Sequence, residues 1–410
     1  MSDLAQTLNR LYALIPRGQE LGLPRMQAAC ARFGNPEASF QAVHVAGTNG
    51  KGTVCAFVAS MARAGGHRVG MYTSPHLLRF AERIQIDGSP IDDADLVRLL
   101  NQVLDAGPEL TFFEVATLTA FLAFREAHVD LAVIEVGLGG RLDATNVIDS
   151  TATALTSVGL DHVQFLGPTE LDIAREKLAV LHEETTLVTG RLDPEIAAYA
   201  RRVAAERGAE LIVAPPLPGD ALPGPMAPYL ERNAAVAAAL AATVTGPLAD
   251  AAIAAGLAHA ALPGRAEMLD GDPPAIADAA HNEAGARALA EALPGLAAGR
   301  PVFGCLSVLA DKDAAAIAAA LAPALERCVC TAADPGPAMG RPGSAAMGAA
   351  DLAGLVAGAG IAAEVEPDPA AAIARTSALA REHGGVALFA GSHYLLRYVW
   401  NARHAQSSSR

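Results

Sequence analysis

The sequence predicts an α/β protein of two domains, and three observations carry that prediction. A short apolar run, Ala42-Val-His-Val-Ala46, breaks into Gly47-Thr-Asn-Gly-Lys-Gly-Thr53 and then into a helical pattern from about Val54. That is a buried strand, a glycine-rich turn and a helix. Short apolar segments then alternate with helical ones along nearly the whole chain, the pattern of a mainly parallel sheet covered by helices. Finally, 410 residues exceed what one core usually organises. Pro263-Gly-Arg265 punctuates the chain, so the domains are placed at 1–264 and 265–410.

Composition narrows the functional classes. With 52% hydrophobic and 18% charged residues the chain has a large core and is not disordered. A net charge of −14 argues against a general nucleic-acid or anionic-membrane binder, which needs a basic field. Met1–Arg10 has neither the basic start nor the apolar core of a signal peptide, and no charge-free run is long enough to span a bilayer. Five cysteines without C-x-x-C spacing read as reduced thiols, with Cys328-Val-Cys330 as strand packing. A cytoplasmic address is expected.

In chain order, residues 3–15 read as an amphipathic helix, followed by Leu21-Gly-Leu-Pro-Arg25 and a second helix to about Phe33. After the first strand and its loop, a helix over 54–64 ends at Gly65-Gly66, and Arg68–Tyr72 is the next strand. Where that strand ends, Thr73-Ser-Pro-His-Leu-Leu-Arg-Phe-Ala-Glu-Arg83 begins, a loop unusually rich in functional groups before a strand at 83–87. A helix over 92–104 precedes Leu110-Thr-Phe-Phe-Glu114, which opens a long apolar helix to about His128. Glu114 at its start is favoured by the helix dipole alone. Leu131–Val136 is a third buried strand, with Glu135 near its end and Gly137-Leu-Gly-Gly-Arg-Leu-Asp-Ala-Thr-Asn146 after it.

A fourth strand is read at 152–158, ending in Gly159-Leu-Asp-His162, and the helix after Pro168 carries Arg175-Glu-Lys177. Strands at 186–189 and 211–213 flank a helix at 194–207. A Pro/Gly-rich loop over 214–228 leads into two alanine-rich helices reaching Leu262, the first holding Asn233. The second domain reads as strands at 266–270, 275–279, 301–308, 328–332, 362–366 and 386–391, with helices near 282–293, 313–325, 347–359 and 369–382. Asp334–Gly343 reads as a mobile loop.

The chemistry concentrates at predicted strand ends, where ligands bind in open α/β sheets. In Gly47–Thr53 the glycines admit a bulky anion, backbone N–H groups and a helix N-terminus face it, Lys51 adds a mobile charge, and Thr53 can meet a phosphate-bound metal. The strict G-x-x-x-x-G-K-[ST] spacing is not met, and an ordinary glycine-rich turn is the plain alternative. Glu135, ending an apolar strand beside that loop, is placed as a Mg²⁺ anchor in the manner of a Walker-B acid, with a structural ion pair as the alternative.

Taken together these segments resemble the folylpolyglutamate synthase/dihydrofolate synthase family of the Mur ligase superfamily. The matching motifs are A-G-T-N-G-K-G-T, T-S-P-H-L-L-R-F-A-E-R-I, E-V-G-L-G-G-R-L-D-A-T-N, G-L-D-H and R-E-K, then L-P-G-R, D-A-A-H-N and D-K-D, in order from about residue 20 to 393. The resemblance implies a P-loop-like ATPase domain and a smaller Rossmann-like C-terminal domain, with an active site built from both. It implies that Thr48, Asn49, Gly50, Lys51, Gly52 and Thr53 cradle ATP phosphates, and that Asn233, Arg265 and Asp278 also contact ATP. Ser74 and Glu135 would hold one Mg²⁺ and His162 a second. Lys177 would be catalytic, in the family often carbamylated, and His281 and Asp313 would act near the incoming L-glutamate. Leu23, Pro24, Arg25, Met26, Arg79, Phe113, Glu114, Leu142, Asp143 and Ala144 would meet a dihydropteroate or reduced folate. Three departures are visible: Glu283 replaces the proline of D-x-A-H-N-P, R-E-K-A-G-I reads Arg175-Glu-Lys-Leu-Ala-Val180, and Thr111-Phe-Phe-Glu114 matches in spacing but not at every residue.

The implied reaction is ATP-dependent addition of L-glutamate to dihydropteroate, to folates or to both, through an acyl phosphate. Positioning and charge stabilisation suffice for it, without a nucleophilic Ser or Cys. A monomer suffices, with neither nucleic acid nor membrane as partner. Two other readings stand beside it: another Mur-type ligase acting on a UDP-muramoyl peptide, disfavoured by the ~40 residues before the first strand, too few for a typical extra domain; and an ATP-binding regulatory protein without catalysis.

Overall fold

The computed structural model describes residues 3–15, 22–106, 109–334 and 345–407. Two compact units emerge. One comprises the residues up to Met226 with Leu230–Ala261, and the other Ala227–Tyr229 with the residues from Leu262 onward.

The first unit begins with α1 (Asp3–Tyr12) and α2 (Pro24–Arg32). The βα unit of the glycine-rich loop is β1 (Gln41–Ala46) and α3 (Lys51–Ala64). Then come β2 (Val69–Tyr72), β3 (Ile84–Ile86), β4 (Ser89–Pro90), α4 (Asp93–Ala106), α5 (Phe112–Glu126), β5 (Leu131–Glu135) and β6 (Ser150–Leu155). The unit continues with α6 (Val163–Leu166), α7 (Glu170–Leu178), β7 (Thr186–Thr189), α8 (Pro194–Glu206), β8 (Glu210–Val213), α9 (Pro228–Thr245) and α10 (Asp250–His259).

Its eight-stranded sheet has the order β4-β3-β2-β5-β1-β6-β7-β8. The five contacts from β2 to β8 are parallel, and β3 and β4 add an antiparallel edge. β1 is central, with Val45 beside Glu135 on one side and Ala46 beside Leu155 on the other. The loop after β1 therefore opens at the level where β5 and β6 end. β1 and β5 are buried along almost their whole length because helices cover both faces. α5 is buried from Glu114 to Phe124 and packs Phe121, Phe124 and Leu118 into the core. Each such side chain contributes roughly 1.5–3 kcal/mol by burial.

The second unit contains β9 (Glu267–Leu269), β10 (Ala275–Ala277), α11 (Glu283–Leu296), β11 (Val302–Leu306) and α12 (Ala314–Leu321). They are followed by β12 (Arg327–Cys330), α13 (Ala349–Gly358), β13 (Ala362–Val365), α14 (Pro369–Glu382), β14 (Val386–Ala390) and α15 (His393–Ser407). The sheet order is β13-β12-β11-β14-β10-β9, parallel except for the β9–β10 pair. All five cysteines are buried and free, and Cys328 and Cys330 face one another on β12 with sulfurs 3.9 Å apart.

Some boundaries differ from the sequence expectation. The strand expected at 152–158 spans Ser150–Leu155: its partner β1 ends at Ala46, and beyond that point Thr156 and Ser157 bond the loop after β1 through their hydroxyls. β4, α6 and the C-terminal helix α15 are additional elements. Of the expected loop at Asp334–Gly343, residues 335–343 lie outside the described residues, as does Leu21 ahead of α2. Among the described residues no single helix is long and apolar enough to cross a membrane.

Candidate active site

The glycine-rich loop is shaped by what lies beneath it. Gly47 has φ +154°, and a Cβ there would sit 1.9 Å from Thr156 Oγ1. Gly50 is left-handed (φ +86°), and its Cβ would meet Asn233 Oδ1 at 2.6 Å. Only glycine fits both positions, and Asn233 on α9 is placed against the loop. Residues 47–50 lead directly into α3, whose first residue is Lys51. The Lys51 ammonium lies 3.4 Å from Thr48 O and 3.9 Å from Glu135 Oε1. Gly52 and Thr53 form the first turn, and Thr53 Oγ1 is buried without a hydrogen-bond partner.

Glu135, 4% exposed at the end of β5, accepts the Ser74 N–H at 2.9 Å. Its Oε2 lies 3.6 Å from the point where a Gly52 Cβ would be. Lys51, Ser74 and Glu135, with Thr53 in the adjoining first turn of α3, thus lie at the C-terminal end of the central strands. A carboxylate beside an orphaned hydroxyl is a hard-oxygen donor set, which suits Mg²⁺. His162 lies on the loop after β6. It occupies a left-handed position (φ 52°), with Nε2 3.8 Å from Asp161 Oδ1. The described residues hold no group of three or more His, Cys, Asp or Glu able to bind a metal.

α7 brings Lys177 to the back of the same loop, where its buried ammonium group donates to Gly47 O at 3.0 Å. Burial, and then the charge of Lys51, lower its pKa to about 7, partly opposed by Asp161 and Asp143.

The residues expected to meet a pterin fall into two groups. Leu23 and Pro24 start α2, Met26 is fully buried in the core, and Arg25 pairs with Glu114 at 3.3 Å. Glu114 also accepts the Thr111 N–H at 2.8 Å, while Thr111 caps α5 by accepting the Glu114 N–H. The dipole-favoured reading of Glu114 is therefore realised as a capping box with a basic partner. Phe113 packs on Tyr72 at 6.0 Å and against Gly137.

The second group is the loop after β5. Leu142 is half-buried, and Ala144 begins a 3-10 turn capped by Asp143. Asp143 accepts from Leu138 N–H (2.8 Å), Thr145 N–H (3.0 Å) and the Thr145 hydroxyl (2.5 Å), while burial pushes its pKa up. Because the Thr145 hydroxyl donates to Asp143, its oxygen takes the proton of His44 Nε2 at 2.8 Å. His44 is fully buried, with its pKa lowered to about 3 by desolvation. Arg79 is exposed and pairs with Asp93 at 2.6 Å. In the same loop Glu82 accepts three backbone N–H groups, from Leu77, Leu78 and Arg79, and buried Arg83 donates to His76 Nδ1 at 2.8 Å.

In the second unit, Asp278 follows β10 and is buried. Its Oδ2 accepts from Ala266 N–H (2.8 Å) and from the Tyr229 hydroxyl, and its Oδ1 from Ala280 N–H (2.8 Å). Burial and the neighbouring carboxylate push the Tyr229 phenol far above its ordinary range, so it remains a donor. Arg265 lies beside His393, Nη2 to Nε2 3.4 Å, and the His281 and His393 rings are 5.5 Å apart. Arg265, Asp278 and His281 are thus gathered at one end of this unit. Asp313 serves as N-cap of α12, accepting Ala316 N–H at 2.9 Å. Thr156, Ser157 and Tyr229 carry no motif of their own. The proximity of Thr156-Ser157 to a strand end was the one signal in sequence that pointed to them.

Comparison with known proteins now bears on this geometry. Residues 45–214 match the Mur ligase middle domain, and residues 264–393 match the Mur ligase glutamate ligase domain. The dihydrofolate synthase/folylpolyglutamate synthase of Escherichia coli (strain K12) is 35% identical over 333 residues, 77% of this chain and 78% of that one. The Bacillus subtilis (strain 168) protein of the same name is 36% identical, covering 74% and 79%. This chain belongs to the dihydrofolate synthase/folylpolyglutamate synthase family. Members of that family are ATP-dependent ligases, and so is this chain. Structures of the family superpose over nearly the full length. E. coli FolC in complex with DHPP and ADP gives a TM-score of 0.87 at 31% identity, covering 98% of both chains. The Yersinia pestis bifunctional enzyme complexed with AMPPNP and Mn ion gives 0.85 at 34% identity, again covering 98% of both.

Proposed function

We propose that this ligase adds L-glutamate to dihydropteroate, to reduced folates or to both, using ATP and Mg²⁺. The observation that carries the reading is the convergence of Lys51, Thr53 and Glu135 at the end of the central strands, beneath a loop only glycine can form. E. coli FolC binds DHPP and ADP, and the Y. pestis enzyme binds AMPPNP with Mn, which supports these ligands for a chain of the same family.

Amide formation needs the substrate carboxylate activated first, as an acyl phosphate with ATP as phosphoryl donor, before the glutamate amine attacks. Both steps gather negative charge, and this chain answers with positioned donors. Thr48 to Thr53 present backbone N–H groups and the α3 N-terminus to the phosphates, and Lys51 offsets their charge. Asn233 braces the loop; on the other unit Arg265 is assigned to the nucleotide by the family resemblance, and Asp278 shapes the turn beside it. Thr53, Ser74 and Glu135 would hold Mg²⁺, with His162 a separate donor; the metal, when bound, shares the phosphate charge. Lys177, with a pKa near 7, offers the neutral amine that carbamylation requires. The pterin is assigned to Phe113, Arg25–Glu114 and the 142–144 loop, and His281 and Asp313 to the glutamate side. A cytoplasmic, monomeric enzyme meets these requirements.

The test is radiolabelled L-glutamate incorporation by purified protein, with dihydropteroate and tetrahydrofolate assayed side by side. ATP- and Mg²⁺-dependent labelling of at least one pterin is expected. ADP binding with no labelling of either would favour a non-catalytic nucleotide-binding protein.

A further inference from the structure

We infer that Thr156 and Ser157 are positioning residues that set the orientation of the glycine-rich loop for phosphate. The inference rests on the reading of that loop as the nucleotide site and names two side chains which act through it.

Of the four backbone polar atoms of residues 48 and 49, three are held by residues 156 and 157. Thr156 Oγ1 donates to Asn49 O at 2.6 Å, and Ser157 Oγ donates to the same oxygen at 3.0 Å. Ser157 Oγ also accepts the Asn49 N–H at 3.0 Å, so one hydroxyl grips both ends of a single residue. The Thr48 N–H donates to Ser157 O at 2.8 Å, and Thr48 Oγ1 sits 3.1 Å from both Gly159 O and Gly159 N. Two hydroxyls on one carbonyl fix which way the 49–50 peptide faces. In a trans peptide the C=O and the following N–H point in opposite directions. Drawing Asn49 O down onto Thr156 and Ser157 therefore turns the Gly50 N–H to the other face, at the opening of α3. A loop whose N–H groups are aimed beforehand pays less ordering entropy on binding an anion. The packing is tight enough that Gly47 must lack a Cβ to make room for the Thr156 hydroxyl.

The experiment compares Ser157→Ala, Thr156→Val, the double variant and the conservative Thr156→Ser, using calorimetric titration with ADP and Mg²⁺ and KM against kcat for ATP. The double variant should weaken ADP about tenfold or more, from the loss of two to three hydrogen bonds. Its KM for ATP should rise in step, with affinity for dihydropteroate within about twofold of wild type, a split that general unfolding does not give. Thr156→Ser should bind ADP as wild type does. ADP affinity within about twofold of wild type in the double variant, or in Ser157→Ala alone should the double variant not fold, overturns the proposal. Lys51→Ala separates the two levels. If it loses ADP while the hydroxyl variants do not, only the brace is wrong; if it too binds ADP normally, the loop is not the nucleotide site.

Discussion

The two turns that follow β1 and β10 each leave the C-terminal end of a strand and are built in opposite ways. After β1, polar groups are left wanting: Thr53 Oγ1 is buried without a partner, and Lys51 reaches Glu135 only at 3.9 Å. After β10, Asp278 is met by two backbone N–H groups and the Tyr229 hydroxyl, three of the four acceptor positions a carboxylate offers. A buried polar group without a partner costs stability and is kept where a ligand will satisfy it; one already satisfied holds a turn in shape. The first turn is built to be completed by something else, and the second completes itself.

Three substitutions probe that contrast. Removing the charge at the incomplete turn should have the largest effect: Lys51→Ala is expected to lower kcat/KM for ligation by about a thousandfold or more while thermal unfolding stays close to wild type. Near-normal ligation by this variant would remove the loop from the reaction.

Next, the two turns should respond to isosteric change in opposite senses. Thr53→Val deletes an orphaned hydroxyl, so denaturant unfolding of the apo protein should give stability within about 0.5 kcal/mol of wild type, or above it, with ADP–Mg²⁺ affinity reduced. Asp278→Asn strips a charged acceptor from two N–H groups and a phenol and should cost about 1–3 kcal/mol. Equal destabilisation by both changes would erase the distinction.

The last effect is electrostatic and shows only as the pH is changed. The pKa of Lys177 is lowered to about 7 in the folded chain, from an ordinary 10.5. Between those values the unfolded chain binds a proton that the folded chain does not, so stability rises with pH across that window and the penalty is complete below it. Lys177→Met should flatten the rise, worth on the order of a few kcal/mol between pH 7 and 10. Parallel stability-against-pH curves for the two proteins would place Lys177 in water.

How much of this was legible in sequence depended on distance along the chain. The loop after β1 and the acid at the end of β5 are local patterns, glycines around a lysine and a carboxylate closing an apolar run, so they could be read directly. Glu114 was legible as a helix start, but its partner Arg25 lies 89 residues away and left no trace. Strand β6 was overextended because Thr156 and Val158 are β-branched, and their propensity argues for strand. What ends the strand is its partner: β1 stops at Ala46, whose carbonyl takes the Thr156 N–H, and beyond it the Thr156 hydroxyl meets the Asn49 carbonyl, 107 residues earlier. Tyr229 and Asp278, 49 residues apart, were invisible as a pair for the same reason. The aromatic residues Tyr394, Tyr398 and Trp400 hid α15 because their propensity leans toward strand.

The edges of the two sheets bear on solubility. β4 is only Ser89–Pro90, both exposed, and a proline there has no N–H to offer another strand. At one edge of the second sheet, Glu364 on β13 is held by Arg327 at 2.9 Å and by Arg375 at 2.7 Å, which places a charged cluster where a foreign strand would have to dock. Short, proline-bearing or charged edges resist strand addition. A chain with 52% hydrophobic residues thus keeps its long apolar strands in the interior of each sheet and leaves these two borders as poor templates for aggregation.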